Sequence, residues 1–275
     1  MTEREFRFGV VAGRAPSGAE WAATARRAEE LGYDTLLIPD TRHTFAPFPA
    51  LAAAAAVTTT LHVGTYVLSA PNRSPGLVAW EAASLQELSD GRFELGIGGG
   101  RPDAADDAAA LGADFGTPAE RIDRVAATIE AVRKVENAPP VLVAASRPRM
   151  LRLAAEQADI VALGLAPETT EPLLARTVSQ LRDAAGERFG ELELHLNVAA
   201  VAATVEDIPS WLSRMVGGDP RDMAWNGGIA FLVGSAERIA DLLCRRRAEF
   251  DVSYIGVSSM FMAEFAPVIK LIRGL

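Results

Sequence analysis

Short apolar runs alternate along this chain with longer stretches in which apolar side chains recur at helical spacing. Eight runs have strand length and are bounded by glycine, proline or polar residues: 6–12, 35–38, 61–68, 93–97, 141–144, 160–163, 192–202 and 254–257. Between them, 17–31 carries Trp21, Ala25, Ala28 and Leu31 on one helical face. It ends at Gly32, a residue free to take the left-handed conformation that closes a helix. The stretches 75–89, 118–135, 148–155, 171–187 and 235–250 have the same character, and Pro75, Pro118 and Pro148 stand in first turns, where a missing N–H leaves no bond unmade. Strands alternating with helices, without the split of a doubly wound sheet, predict an α/β fold: one (β/α)8 TIM barrel spanning 1–275 as a single domain. A doubly wound parallel sheet is the alternative.

The pattern is densest over 51–100, where helix, strand, helix and strand follow in order and the last strand runs into Gly98-Gly99-Gly100. Backbone bare of side chains at the C-terminal end of a parallel strand lies where such folds place ligands. Gly96-Ile97-Gly98-Gly99-Gly100-Arg101 misses a dinucleotide fingerprint by one residue, since Arg101 holds the third glycine's place and Pro102 with nearby aspartates replaces a helix start. Two readings stand: a platform for a planar ring or phosphate, and a tight turn. The alanine run 50–56 predicts close helix packing.

On a barrel, chemistry sits in the loops after the strands, which singles out Asp40 and His43 after the second strand as candidate catalytic groups. Asp40 can hydrogen-bond a ligand or cap the next segment. His43 is the one histidine placed on such a loop; His62 lies within a strand. His195 alternates with Glu193 and Asn197, as a polar lumen or a solvated strand face would require. The fifth strand delivers Ser146 and Arg147 to a helix opening at Pro148, an arrangement that suits a phosphate or, for Ser146, a plain N-cap.

Composition narrows the classes. The net charge of −9 comes from acids scattered over helices, without a basic patch interleaved with aromatics, which argues against a nucleic-acid partner. The lone Cys244, inside a helical stretch, excludes an intrachain disulfide, and the alanine and valine runs are too short or interrupted to span a bilayer. A soluble cytoplasmic protein without a membrane association is expected. Metal spacings of the HxH, HExxH or CxxC type and a Gly-x-Ser-x-Gly elbow are absent from the sequence.

With these residues in place, the chain resembles the bacterial luciferase-like superfamily of flavin and deazaflavin oxidoreductases, and within it the actinobacterial branch that uses coenzyme F420. The resemblance is carried by 28–40 (AEELGYDTLLIPD), by 55–68 with Thr58-Thr59-Thr60-Leu61-His62-Val63-Gly64-Thr65, and by 88–98 (LSDGRFELGIG), supported by 154–161 and 252–255. It implies that Asp40 contacts the cofactor ring, that a non-prolyl cis peptide at Tyr66-Val67 props that ring, that Gly98, Gly99 and Gly100 lie beside it, and that Ser146 with Arg147 forms the phosphate turn. It also implies a homodimer, paired through helices of the N-terminal third. The chain departs from the pattern at Thr41, where relatives commonly carry a histidine, at Arg101, where some deazaflavin dehydrogenases carry a carboxylate, and in its short 135–140 segment.

Three functions follow as expectations. The first is hydride transfer from reduced deazaflavin (coenzyme F420) to a small organic substrate. The second is an FMN-dependent luciferase-like monooxygenase, which Ser146 favours. The third is a noncatalytic barrel, suggested by Thr41.

Overall fold

The computed structural model of the protein describes residues 4–101 and 104–274; Pro102, invoked above against a helix start, and Asp103 lie outside them. The strands β1 (Arg7–Val11), β2 (Thr35–Ile38), β3 (His62–Thr65), β4 (Leu68–Ser69), β5 (Phe93–Gly98), β6 (Val141–Ala145), β7 (Ile160–Leu163) and β8 (Glu193–Val198) are joined by β11 (Val252–Ser258) in one parallel sheet. It closes because β1 pairs with both β2 and β11, while β5 pairs with both β3 and β4. With β3 and β4 as two pieces of one stave, this is a (β/α)8 barrel, and the doubly wound alternative fails because the end strands are paired.

The expected run 61–68 breaks into β3 and β4 around the Tyr66–Val67 peptide, which is cis. At this break β5 comes so close that a Cβ on Gly96 would lie 1.9 Å from the Thr65 carbonyl oxygen. The Thr65 hydroxyl takes over the missing ladder bonds, donating to the Gly96 carbonyl (2.7 Å) and accepting from its N–H (2.8 Å). The run 192–202 also divides: β9 (Ala200–Ala202) leaves the barrel and pairs with β10 (Phe231–Val233), a three-residue strand too short to register as a period.

The six marked helices form as α1 (Gly18–Glu30), α3 (Pro75–Leu88), α5 (Pro118–Val132), α6 (Pro148–Gln157), α7 (Glu171–Ala185) and α10 (Ala236–Phe250), which carries exposed Cys244. The alanine run lies in α2 (Pro47–Ala55), whose Ala50 carbonyl accepts a 2.8 Å bond from the Trp21 indole of α1. The helices α4 (Ala105–Ala110), α8 (Ser213–Val216) and α9 (Pro220–Trp225) are too short to show a helical period, and the internal Pro267 of α11 (Met262–Arg273) masks its pattern. None of the described helices is long and apolar enough to cross a membrane.

The segments that carry the family resemblance meet at the barrel's N-terminal end. Glu29 at the end of α1 accepts the N–H groups of Thr59, Thr60 and Leu61 (2.8, 2.6 and 3.0 Å). Burial raises the cost of its charge, but these donors outweigh it and hold the carboxyl down at about 2. The Arg92 guanidinium donates to the Ala55 and Leu61 carbonyls (3.0 and 2.7 Å), fixing the start of β5 to α2 and β3.

Candidate functional site

Side chains of alternate strand residues fill the lumen, and at its N-terminal floor they are charged. Arg7 donates to Glu193 (2.6 Å), Glu94 (2.7 Å) and the Thr35 hydroxyl (3.2 Å), while the Tyr254 hydroxyl donates to Glu94 (2.6 Å) and its ring lies under the guanidinium. Burial opposes the charge on Arg7, yet Glu94, Tyr254 and Glu193 more than offset it and raise its pKa; Glu193 is shifted up, its burial outweighing Arg7. A depression of about 900 Å³ opens below, where Arg7 is paired as above and Arg273 donates to both oxygens of Asp34.

Above the floor sits His195, fully buried, its ring 4.6 Å from that of Tyr254 and 4.7 Å from that of Tyr66. His195 thus belongs to a polar lumen rather than a solvated strand face. Neither of its ring nitrogens has a hydrogen-bond partner among the described residues, and burial, with Arg7 below, pulls its pKa down to about 3, so the imidazole is neutral. The ring fits because Gly256 faces it: a Cβ there would stand 2.6 Å from Nε2.

Asp40, Tyr66, Val67, Gly98, Gly99, Gly100, Ser146 and Arg147 all follow the C-terminal ends of parallel strands and open on the opposite end, the mouth. Asp40 is tied up there. Its carboxylate takes both ends of the Arg73 guanidinium (2.5 and 3.1 Å) and the Ser69 N–H (3.0 Å), which fastens β2 to the loop after β4. Glu81 of α3 stands beside this pair with one carboxylate oxygen unpartnered, and burial pushes its carboxyl up. His43 is exposed and makes no hydrogen bond to a described residue. Of the glycines, Gly98 is backed by Val67 and Ala144, Gly99 faces Met150 and Arg121, and Gly100 is walled by Ser69 and Phe115.

Ser146 is not an N-cap. Arg147 occupies that position before α6, with extended backbone and no side-chain bond to the helix. Both residues are exposed, and the Ser146 hydroxyl bonds to no described residue. Ser17, Ser74, Thr117 and Ser235 do cap their helices, whereas α2, α6, α7 and α11 have no side-chain cap; at α6 the open donors stand beside a guanidinium. Such a turn suits an anion. The Tyr66 phenol, pushed up by burial and so neutral, has no hydrogen-bond partner among the described residues. A ring resting against Tyr66, Val67 and the glycine backbone, with a phosphate at α6, fits these groups without displacing any bond they already make.

Sequence reasoning missed Arg73, Arg7, Glu94 and Tyr254. A signal existed for two of them: Arg7 and Glu94 are charged residues inside otherwise apolar strand runs, the mark of a lumen ion pair. Among the described residues no group of three His, Cys, Asp or Glu side chains is placed to hold a metal ion.

A parallel eight-staved barrel with helices outside it and its candidate site residues at the C-terminal mouth defines an α/β-barrel protein. The family model described as luciferase-like monooxygenase matches residues 6–238, and the chain belongs to that enzyme family. An F420-dependent glucose-6-phosphate dehydrogenase of Nakamurella multipartita is 28% identical over 229 residues, covering 70% of this chain and 67% of the relative. The coenzyme F420-dependent tetrahydromethanopterin reductase of Methanopyrus kandleri superposes with a TM-score of 0.72 at 17% identity, covering 97% of each chain. A riboflavin lyase solved with modified FMN and riboflavin superposes with a TM-score of 0.74 at 17% identity, covering 98% of this chain and 92% of that one.

Proposed function

We propose that this protein is an oxidoreductase that holds coenzyme F420 at the barrel mouth and passes hydride from its reduced form to a small organic substrate. The observation that carries the reading is the uncapped, cationic turn at Ser146 and Arg147, open at the same end as Tyr66 and Gly98 to Gly100. When bound, the deazaflavin supplies the hydride carrier, so the protein's work is to position two reactants and exclude water. Ser146, Arg147 and the α6 amides would hold the cofactor phosphate; Tyr66, Val67 and the glycine backbone would seat the ring. Asp40 would act on the ring through Arg73 and the Ser69 loop it fastens, since its own oxygens are already occupied. His43 is the exposed group on the same rim from which a proton can reach solvent.

The relative from Nakamurella multipartita supports F420. A second reading, an FMN-dependent monooxygenase, has its own support in the family description and in a serine at the phosphate turn. We read the chain 1–275 as one luciferase-like domain, cytoplasmic and homodimeric.

Titration of the purified protein with F420 and with FMN, followed by fluorescence, separates the readings. Tighter binding of F420 is expected. Tighter binding of FMN would turn the assignment to the monooxygenase, and binding of neither would leave a noncatalytic barrel.

A further inference from the structure

Beside Tyr66 the mouth contains a partly open space of about 170 Å³, between the end of β7, the end of β8 and the start of β10. Leu163, Leu165, Leu196 and Ile229 supply apolar walls, and its polar side chains are Tyr66 and Asn197. Neither of these two side chains hydrogen-bonds to a described residue. Among the described residues no charged side chain lines the space. The guanidinium behind it, Arg246, is committed to Glu171 (3.0 Å) and to the Ile229 carbonyl (3.0 Å), so it cannot turn inward to meet an anion.

We infer that this cavity receives the substrate, and that the substrate class is a neutral alcohol or carbonyl compound whose apolar body is about the size of a six-membered ring. The inference rests on the oxidoreductase reading above and narrows it. The size follows from the volume, since an apolar cavity of ~150 Å³ accommodates benzene. The single polar function follows from the lining. One oxygen on the ligand can accept from the Tyr66 hydroxyl and the Asn197 amide, whereas an ionised group would sit among leucines with no counter-charge and lose its hydration. A sugar phosphate, the substrate class named for the Nakamurella relative, is therefore excluded from this cavity.

The test uses the full chain and three probes: cyclohexanone, cyclohexanecarboxylate and glucose 6-phosphate, with binding read by saturation-transfer NMR. Cyclohexanone is expected to bind and the two anions are not. Ala166→Leu enlarges an exposed side chain of the cavity lining, away from the Ser146 turn, and is expected to weaken cyclohexanone at least tenfold. Asn197→Leu, on an exposed position that does not support the core, is expected to weaken it about two- to tenfold, the worth of one neutral hydrogen bond. Binding of either anion as tightly as the ketone, or ketone binding unchanged in both variants, overturns the inference. The same samples are titrated with F420 and FMN. Cofactor binding without ketone binding overturns the substrate assignment alone, whereas ketone binding without cofactor binding upholds the cavity's selectivity and overturns the oxidoreductase reading.

Discussion

The two ends of the barrel are built from the same kinds of residue and use them in opposite ways. At the floor, Arg7, Glu94, Glu193 and Tyr254 bind one another, and each charge is matched within the lumen. At the mouth, the hydroxyls of Tyr66 and Ser146 and the Asn197 amide make no hydrogen bond to described residues, and Arg147 caps nothing. Ser146 and Asn197 are exposed and half-buried Tyr66 borders a cavity, so these donors stay open to solvent or to a ligand without the cost of an unpaired buried group. The floor is thus where polarity is spent on internal pairing, and the mouth is where polar groups stay open. Asp40 shows the boundary at the mouth: it spends its carboxylate on holding the loop that carries Ser69 and Arg73.

Breaking the floor is expected to have the largest effect. Glu94→Ala leaves half-buried Arg7 with Glu193 as its remaining carboxylate and strands the buried Tyr254 hydroxyl, and should cost about 2–4 kcal/mol of unfolding free energy, the loss expected when a buried polar group and part of a charge pairing go unsatisfied. Urea denaturation measures it, and a loss below ~1 kcal/mol would mean that solvent reaching Arg7 already satisfies it.

The layer between the ends gives a pH test. His195 is neutral with a folded-state pKa of about 3 against an ordinary 6.5, so the unfolded chain binds the additional proton as pH falls. Its contribution is intact above pH 6.5 and is lost progressively toward pH 3, by about 2–3 kcal/mol between pH 6 and 4. His195→Leu should flatten this slope. An unchanged slope would place the acid sensitivity elsewhere, with Glu29 contributing only below pH 4.5.

At the mouth, Ser146→Ala combined with Arg147→Gly should weaken FMN or F420 binding by about tenfold to several hundredfold, from ~1.5–3 kcal/mol of charge-assisted hydrogen bonding. Unfolding free energy should move by less than ~0.5 kcal/mol, the reverse of the Glu94 variant. Riboflavin, which lacks the phosphate, should bind the double variant as it binds the parent; equal losses for FMN and riboflavin would assign the turn to ring packing. The smallest stability effect is expected for His43→Gln, within ~0.5 kcal/mol on an exposed loop, so that a fall in turnover there reports on chemistry alone.

Much of the fold could be read from local pattern, because period and punctuation are local properties. Eight short apolar runs and the proline- and Ser/Thr-led helices specify the staves and their order, and Gly32 stops α1 with φ at +84°. The segments that betray the family did so for structural reasons: Glu29 and Arg92 bind the ends of neighbouring elements at the floor, far from the mouth. That is why kinship was legible while chemistry was less so. Ser146 and Arg147 could be singled out because a helix start after a strand is visible in sequence. The failure of either to cap α6 could not, since capping depends on one backbone angle and one rotamer.

By itself, then, the sequence determined the alternation of elements, the glycine-lined strand end and the candidates on each loop, all set by the side chains' own spacing and conformational preferences. Tertiary structure alone decided the partners. Arg7 meets Glu193 across 186 residues and Tyr254 meets Glu94 across 160, and both meetings depend on the stagger of the closed sheet. The same closure made Asp40 a clamp rather than a free carboxylate and set Asn197 beside Tyr66. Which polar groups are consumed and which stay open is a property of barrel geometry, because strand period says which face a residue takes but not what stands opposite.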